Sequence, residues 1–111
     1  MTDINVVLDG AAEFARIHPH MQLSTLRVFL CVAQRGIANQ QDIEILLDLT
    51  SASTSRNVAY WTDVKHKGGA GLGYMVREED PRDRRSKLLR LTADGKKFYE
   101  KLRAKKARGE I

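Results

Sequence analysis

Three arginines crowd into one short run of the sequence, Asp80-Pro81-Arg82-Asp83-Arg84-Arg85-Ser86-Lys87. The run separates two strand-like segments, 74–79 and 86–91, so the pattern predicts a β-hairpin with guanidinium groups at its tip. Proline and aspartate favour a rigid turn there. Guanidinium groups pair with phosphate oxygens and base edges, and a narrow hairpin fits a groove of nucleic acid. The hairpin residues that we expect to contact DNA are Arg82, Asp83, Arg84, Arg85 and Lys87.

The alternative for this cluster is a surface network of ion pairs between the three arginines, Asp80 and Asp83. Exposed ion pairs stabilise a fold by only about 0–1 kcal/mol each. Stability alone therefore accounts poorly for so many arginines in one turn.

A second polar set lies on a predicted helix that begins at Thr50 or Ser51 and ends near Trp61. Hydroxyl groups beside the free N–H groups of a helix N-terminus suit phosphate oxygens. Arg56 and Asn57 have the forked geometries that read guanine and adenine in the major groove. The alternative is that the hydroxyls only cap the helix and that Arg56 pairs with an acid. The candidate DNA contacts on this helix are Ser51, Ser53, Thr54, Arg56, Asn57 and Tyr60.

The hairpin and the helices before it resemble the MarR-type winged helix-turn-helix regulators. The wing of that family reads Asp-Pro-x-Asp-Arg-Arg, three residues, then Leu-x-Leu-Thr-x-x-Gly, and residues 80–95 match it nearly throughout. The segment 36–56 also matches, ending in the Ser-Arg pair of the family. It departs at Glu44, where a small residue is usual, and at Asp48, which replaces the usual turn glycine. The resemblance covers roughly residues 23–102.

This resemblance implies a mainly α-helical winged helix-turn-helix fold with a small β-hairpin wing. It also implies a homodimeric, sequence-specific regulator of transcription, most often a repressor that reads a palindromic operator. In the family an aspartate in the wing braces an arginine that enters the minor groove, and Asp83 and Arg85 match those positions, with Arg84 as a neighbouring phosphate contact. A small aromatic effector is a further implied partner, although no polar group of residues in the sequence identifies its pocket.

Four further elements are predicted from apolar spacing and capping residues. A first helix spans 3–17, with an apolar face that includes Phe14. A second runs from Ser24, as its cap, to Arg35, and a third begins at Asn39. The last helix spans 92–108 and is capped by Thr92. The glycine-rich loop 63–73 carries Lys65 and Lys67 as weaker candidate phosphate contacts, or is simply solvated.

The 111 residues are expected to form one domain, 1–111, with 1–17 and 92–111 as dimerisation helices. The net charge is +5, and residues 77–111 carry 13 Lys and Arg against 7 Asp and Glu. This uneven spread is typical of a polyanion-binding protein, and equally of a solvated basic helix at the C-terminus. No catalytic motif, cofactor fingerprint or signal segment stands out, so we expect a cytoplasmic protein that is not an enzyme and takes no cofactor. His18, His20 and His66 do not complete a metal site. Cys31 is expected in the core and is a weak candidate for oxidant sensing.

Two other functions remain open from the residues alone. A compact winged helix suits an architectural DNA-binding protein in plasmid or phage replication, partition or recombination. It also suits a protein-interaction module whose basic face docks an acidic partner.

Overall fold

The computed structural model describes residues 4–62 and 72–109. Within these ranges a helix-turn-helix is followed by a two-stranded wing, which confirms the predicted fold class. The wing strands and one short strand form an antiparallel sheet in the order β1-β3-β2. The elements are α1 (Ile4–Ile17), α2 (Leu23–Arg35), β1 (Ile37–Asn39), α3 (Gln40–Leu47), α4 (Ser51–Trp61), β2 (Met75–Asp80), β3 (Asp83–Leu91) and α5 (Ala93–Gly109).

Side-chain oxygens at three helix starts accept hydrogen bonds from otherwise unpaired backbone N–H groups. Asn39 accepts from the N–H of Gln41 at 2.9 Å and so caps α3. Thr50 caps α4 in the same way at 3.0 Å, and Thr92 caps α5 at 3.1 Å. The predicted cap of α2 was wrong, because Ser24 lies inside a helix that already begins at Leu23.

The core joins α1, α2, α4 and α5 through five aromatic rings. The indole of Trp61 is fully buried, and its centroid lies 4.8 Å from that of Phe29. Phe14 of α1 meets Phe98 of α5 edge to face at 5.2 Å, and Tyr74 stacks on Trp61 at 6.1 Å. Edge-to-face and offset contacts of this kind add to the free energy gained from burying apolar area. Cys31 is half-buried against the same core, as predicted.

The two faces of α1 differ. Its C-terminal half packs into the domain through Phe14 and through Glu13, whose buried carboxylate lies 3.2 Å from the ammonium of Lys101 on α5. Its N-terminal half exposes Ile4, Val7 and Leu8 by 74%, 53% and 67%. Phe14 therefore belongs to the core of the domain, whereas the apolar stripe before it has no partner within the described part of this chain.

Candidate nucleic-acid interface

The predicted contacts on α4 divide into exposed and buried groups. Ser51 and Arg56 are exposed, and Ser53 and Tyr60 are half-buried. Thr54 is fully buried, and its hydroxyl donates to the carbonyl of Thr50 at 2.9 Å. The Thr54 hydroxyl is therefore not accessible to DNA in this structure.

Asn57 also lies mostly inside the domain, with 7% of its surface exposed. Its side-chain oxygen accepts from the Thr25 hydroxyl at 2.6 Å, and its amide nitrogen donates to Ser53 at 3.5 Å. The bond with Thr25 joins α4 to α2, and the bond with Ser53 lies within α4. Base reading by Asn57 would require them to break, so Arg56 is the exposed base-reading candidate of the predicted pair.

The wing tip is organised by two aspartates. Asp80 is buried and accepts from the backbone N–H of Arg82 at 2.9 Å and from the side-chain amide of Asn39 at 3.2 Å. The hydrogen bond from the Arg82 backbone, followed by that from Asn39 and the nearby guanidinium, holds the pKa of Asp80 below its usual value. Asp83 accepts from the N–H of Arg85 at 3.1 Å, and its carboxylate lies 3.6 Å from the Arg85 guanidinium. The side chain of Arg85 is 92% exposed.

The pairing of β2 with β3 is irregular near this tip. Glu79 lies opposite Lys87, but the next residue, Asp80, lies opposite Asp83. Residues 84–86 of β3 therefore have no Cα partner on β2. A bulge of this kind turns side chains away from the regular alternation of a strand. Here it buries Ser86 next to the exposed Arg85.

The side chain of Arg84, and both Lys65 and Lys67, lie outside the part of the chain that is described.

Among the described residues, Arg77 and Asn39 make side-chain hydrogen bonds that join the wing to the helix-turn-helix. The Arg77 guanidinium on β2 donates to the hydroxyl of Ser55 on α4 at 3.2 Å. Asn39 uses both ends of its side chain, since its oxygen caps α3 while its nitrogen donates to Asp80 in the wing. The sequence pattern did not reveal Arg77 or the second role of Asn39, because the partners lie 22 and 41 residues away.

A cavity of about 340 Å³ opens beside α4 and was also missed from the sequence. Two histidines of the α1–α2 connection, His18 and His20, line this cavity. The ring nitrogen Nδ1 of His18 accepts from the backbone N–H of His20 at 3.0 Å. Burial raises the pKa of Tyr60, which keeps its phenol protonated at neutral pH. The cavity thus brings a guanidinium, a phenol and two imidazoles together. Its polar lining includes His18, His20, Thr25, Arg56, Asn57 and Tyr60.

Solved structures of low sequence identity share this fold. The transcriptional regulator Tm0710 from Thermotoga maritima matches with a TM-score of 0.74 and 18% identity, over 95% of this chain and 67% of its own. A cysteine-to-serine mutant of MarR from E. coli, solved with operator DNA, matches with a TM-score of 0.62 and 14% identity, over 87% of this chain and 65% of its own. The fold is that of MarR.

NadR, solved in complex with 4-hydroxyphenylacetate, also has this MarR fold, with a TM-score of 0.63, 21% identity, and coverage of 99% of this chain and 77% of its own. No protein-family model and no curated protein matches the chain. The chain thus spans between 65% and 77% of the length of these three MarR-fold proteins. Tm0710, one of the proteins that share this fold, is a transcriptional regulator.

Across 4–62 and 72–109, no three His, Cys, Asp or Glu side chains gather into a potential metal site. None of the helices in those ranges combines the length and the apolar composition that crossing a membrane requires.

Proposed function

We propose that the protein is a sequence-specific regulator of transcription that binds double-stranded DNA. In this proposal α4 enters the major groove, and the wing enters the neighbouring minor groove. One observation supports it above the others. One crevice is lined by Ser51, at the start of α4, and by Arg85 and Lys87 of the wing. The hydroxyl of α4 and the cations of the wing therefore lie on the same surface.

Within that surface the residues have different tasks. Arg56 reads a base edge, because it is the exposed guanidinium near the middle of α4. Arg85 enters the minor groove, where narrow A·T-rich segments concentrate negative potential. Asp83 holds Arg85 in place through its backbone and its guanidinium. Arg82, Arg84, Lys87, Ser51 and Ser53 are proposed contacts to the sugar-phosphate backbone.

We infer a homodimer from the exposed stripe Ile4, Val7 and Leu8. Three large apolar side chains at helical spacing on one face are typical of an interface. A two-fold dimer would place two copies of α4 about 34–36 Å apart, on successive major-groove faces of a palindrome. A dimer covering a promoter would then repress by excluding the polymerase.

The cavity beside α4 is the proposed effector site. A small aromatic carboxylate suits it, since Arg56 and the imidazoles offer partners for the carboxylate and Tyr60 an aromatic wall. NadR, which shares the fold, was solved with a compound of this chemistry. Because Arg56 lines the cavity and is also the proposed base reader, an occupant that engages Arg56 removes it from DNA and lowers operator affinity.

The test is selection of bound duplexes from a random pool, followed by affinity measurements on the enriched sequence. A regulator should enrich a two-fold symmetric motif and bind it about 10³–10⁷ times more tightly than random duplex. An architectural protein would bind duplexes without such preference. A protein-interaction module would show no useful affinity for duplex DNA, and either result would contradict the proposed function.

Calorimetric titration with 4-hydroxyphenylacetate tests the effector site. The compound should bind wild-type protein and weaken its hold on the selected operator. The matched amide, 4-hydroxyphenylacetamide, lacks the negative charge and should do neither. Equal effects of acid and amide would contradict the role given to Arg56.

A further inference from the structure

A second, smaller crevice lies where the first turns of α3 and α4 meet strand β3. Its volume is about 110 Å³, enough for one phosphate group, and most of its surface is polar. It lies between α4 and the wing, the two elements proposed to enter neighbouring grooves. Its lining includes Gln40, Glu44, Ser51, Arg85, Ser86 and Lys87.

Two buried polar side-chain atoms of this crevice have no hydrogen-bond partner among the described residues. The Ser86 hydroxyl belongs to a residue that is only 2% exposed, and the side-chain oxygen of Gln40 is buried as well. Buried polar groups in folded proteins are nearly always hydrogen-bonded, because leaving one unpaired is unfavourable. Because Ser86 and Gln40 both line one polar crevice, a ligand in that crevice is the candidate partner for both atoms.

The available groups favour an anion. A serine hydroxyl rotates freely to donate, and a half-turn of the Gln40 amide exchanges its oxygen for an NH₂ donor. Arg85 and Lys87 bring two positive charges against the single carboxylate of Glu44 in the crevice lining. The competing partners of these cations are weak, since Lys87 lies 4.0 Å from Glu79 and Arg85 lies 3.6 Å from Asp83, both on exposed surface. The N-terminus of α4, at Ser51, adds a further partial positive charge.

We propose that this crevice seats one phosphate of the DNA backbone, with Ser86 and Gln40 as its buried donors. The proposal rests on the proposed DNA-binding function and specifies one contact of that site. A single sugar-phosphate strand separates a major groove from the adjacent minor groove, so it must pass between α4 and the wing if each enters its own groove. The crevice lies on that path. A seated phosphate fixes the register of the protein on the duplex and carries no sequence information.

The experiment measures affinity for the selected operator and for a random duplex, at several salt concentrations, together with the melting temperature of the free protein. Ser86→Ala and Gln40→Leu should each weaken binding to both duplexes by the same factor, roughly 5- to 30-fold. Both variants remove neutral donors, so the slope of log K against log salt should stay unchanged. Lys87→Ala should instead flatten that slope by about one unit. The matched controls are Ser24→Ala and Gln34→Leu, both on α2 and outside the crevice.

The free protein supplies an independent readout. Because the Ser86 hydroxyl has no hydrogen-bond partner among the described residues, Ser86→Ala should melt at the wild-type temperature or above it. A neutral methylphosphonate at the contacted position of the operator should weaken wild-type binding by a larger factor than it weakens Ser86→Ala, because the variant has already lost its hydroxyl contact to that phosphate. This pattern separates a lost phosphate contact from a damaged fold.

Three outcomes would overturn the proposal. If wild type binds the operator and Ser86→Ala and Gln40→Leu bind it equally well, the crevice holds no backbone phosphate although the proposed function stands. If inorganic phosphate raises the melting temperature of wild type but not of Ser86→Ala, while DNA affinities are equal, the ligand is a soluble phosphate compound. If wild type binds no duplex at all, the proposed function fails and the phosphate seat fails with it.

Discussion

Gly95 lies where the first turn of α5 passes against the backbone of Tyr74. A Cβ atom at this position would overlap the Tyr74 carbonyl oxygen and crowd its carbon at 2.9 Å. Backbone cannot yield as a flexible side chain can, so only glycine fits. The glycine that ends the wing motif is therefore explained by the approach of α5 to the strand region, and not by a turn.

Gly95→Ala should lower the free energy of unfolding by about 1–3 kcal/mol, because the added methyl group overpacks the contact with Tyr74. Urea denaturation measures the change. Gly10→Ala is the matched control, since Gly10 lies in α1 with no atom within 4 Å of an added Cβ. That control should gain about 0.5–1 kcal/mol from helix propensity. A neutral result for Gly95→Ala would mean that α5 does not pack as described.

Asp80 makes the stability of the wing depend on pH at the acidic end. Its pKa in the folded protein is lowered from 3.8, chiefly by the hydrogen bond from the Arg82 backbone. Because the pKa is lower in the folded protein, the Asp80 carboxylate stabilises the fold at every pH above its ordinary pKa. That stabilisation is lost as the pH falls through the folded-state pKa.

Asp80→Asn should therefore be less stable than wild type near pH 7, and the difference should shrink below about pH 4 as the wild-type carboxylate takes up its proton. Chemical denaturation at several pH values gives the comparison. A stability difference that stays the same across this range would show that the charge of Asp80 is unimportant and that only its hydrogen-bond geometry matters.

At the scale of elements, the wing carries the exposed Arg85 on strand β3, where Asp83 accepts a hydrogen bond from its backbone N–H. Arg85→Ala should weaken binding to all duplexes and flatten the salt dependence by about one unit, because one cation no longer displaces counterions. Fluorescence anisotropy at several salt concentrations measures both quantities. Arg27→Ala, an exposed substitution on α2, is the matched control. Unchanged affinity and unchanged slope for Arg85→Ala would show that the wing does not meet DNA.

Elements that depend on local contacts could be predicted from the sequence. The starts of α3, α4 and α5 followed from Asn39, Thr50 and Thr92, since a cap acts within three residues of itself. The backbone at Asp48 is left-handed, with φ of 55°, which is the conformation that a glycine there would provide. The departure from glycine therefore changed the residue type without changing the turn.

Features that depend on a partner far along the chain could not be predicted from the sequence. The strand β1 has only three residues, too few for alternation to show, and exists because β3 pairs with it. In the sequence, Thr54 and Asn57 have the polar character of DNA contacts on α4. In the structure both side chains are buried and hydrogen-bonded inside the domain. A one-dimensional pattern places a polar residue on a helix but does not tell which polar side chains find partners inside the domain.

At the scale of the whole molecule, the exposed half of α1 is the proposed dimer interface. Leu8→Glu should convert the dimer to monomers and weaken operator binding, because it places a charge in an apolar contact. Sedimentation velocity and affinity for the palindrome measure the two effects. Ile45→Glu is the matched control, as Ile45 on α3 is also exposed, by 78%. An unaltered dimer in Leu8→Glu would remove α1 from the interface. Phe14 is unsuitable for this test because its substitution would damage the core.

The position of the indole has an optical consequence. The chain has a single tryptophan, and its ring nitrogen donates to the carbonyl of Thr25 at 2.8 Å, directly behind the wall of the larger cavity. Its ring also lies 5.3 Å from that of Tyr60 on the same wall. Tryptophan fluorescence therefore reports on the packing of α4 without any added label. A ligand that binds beside Thr25 should change the wavelength or the intensity of the emission.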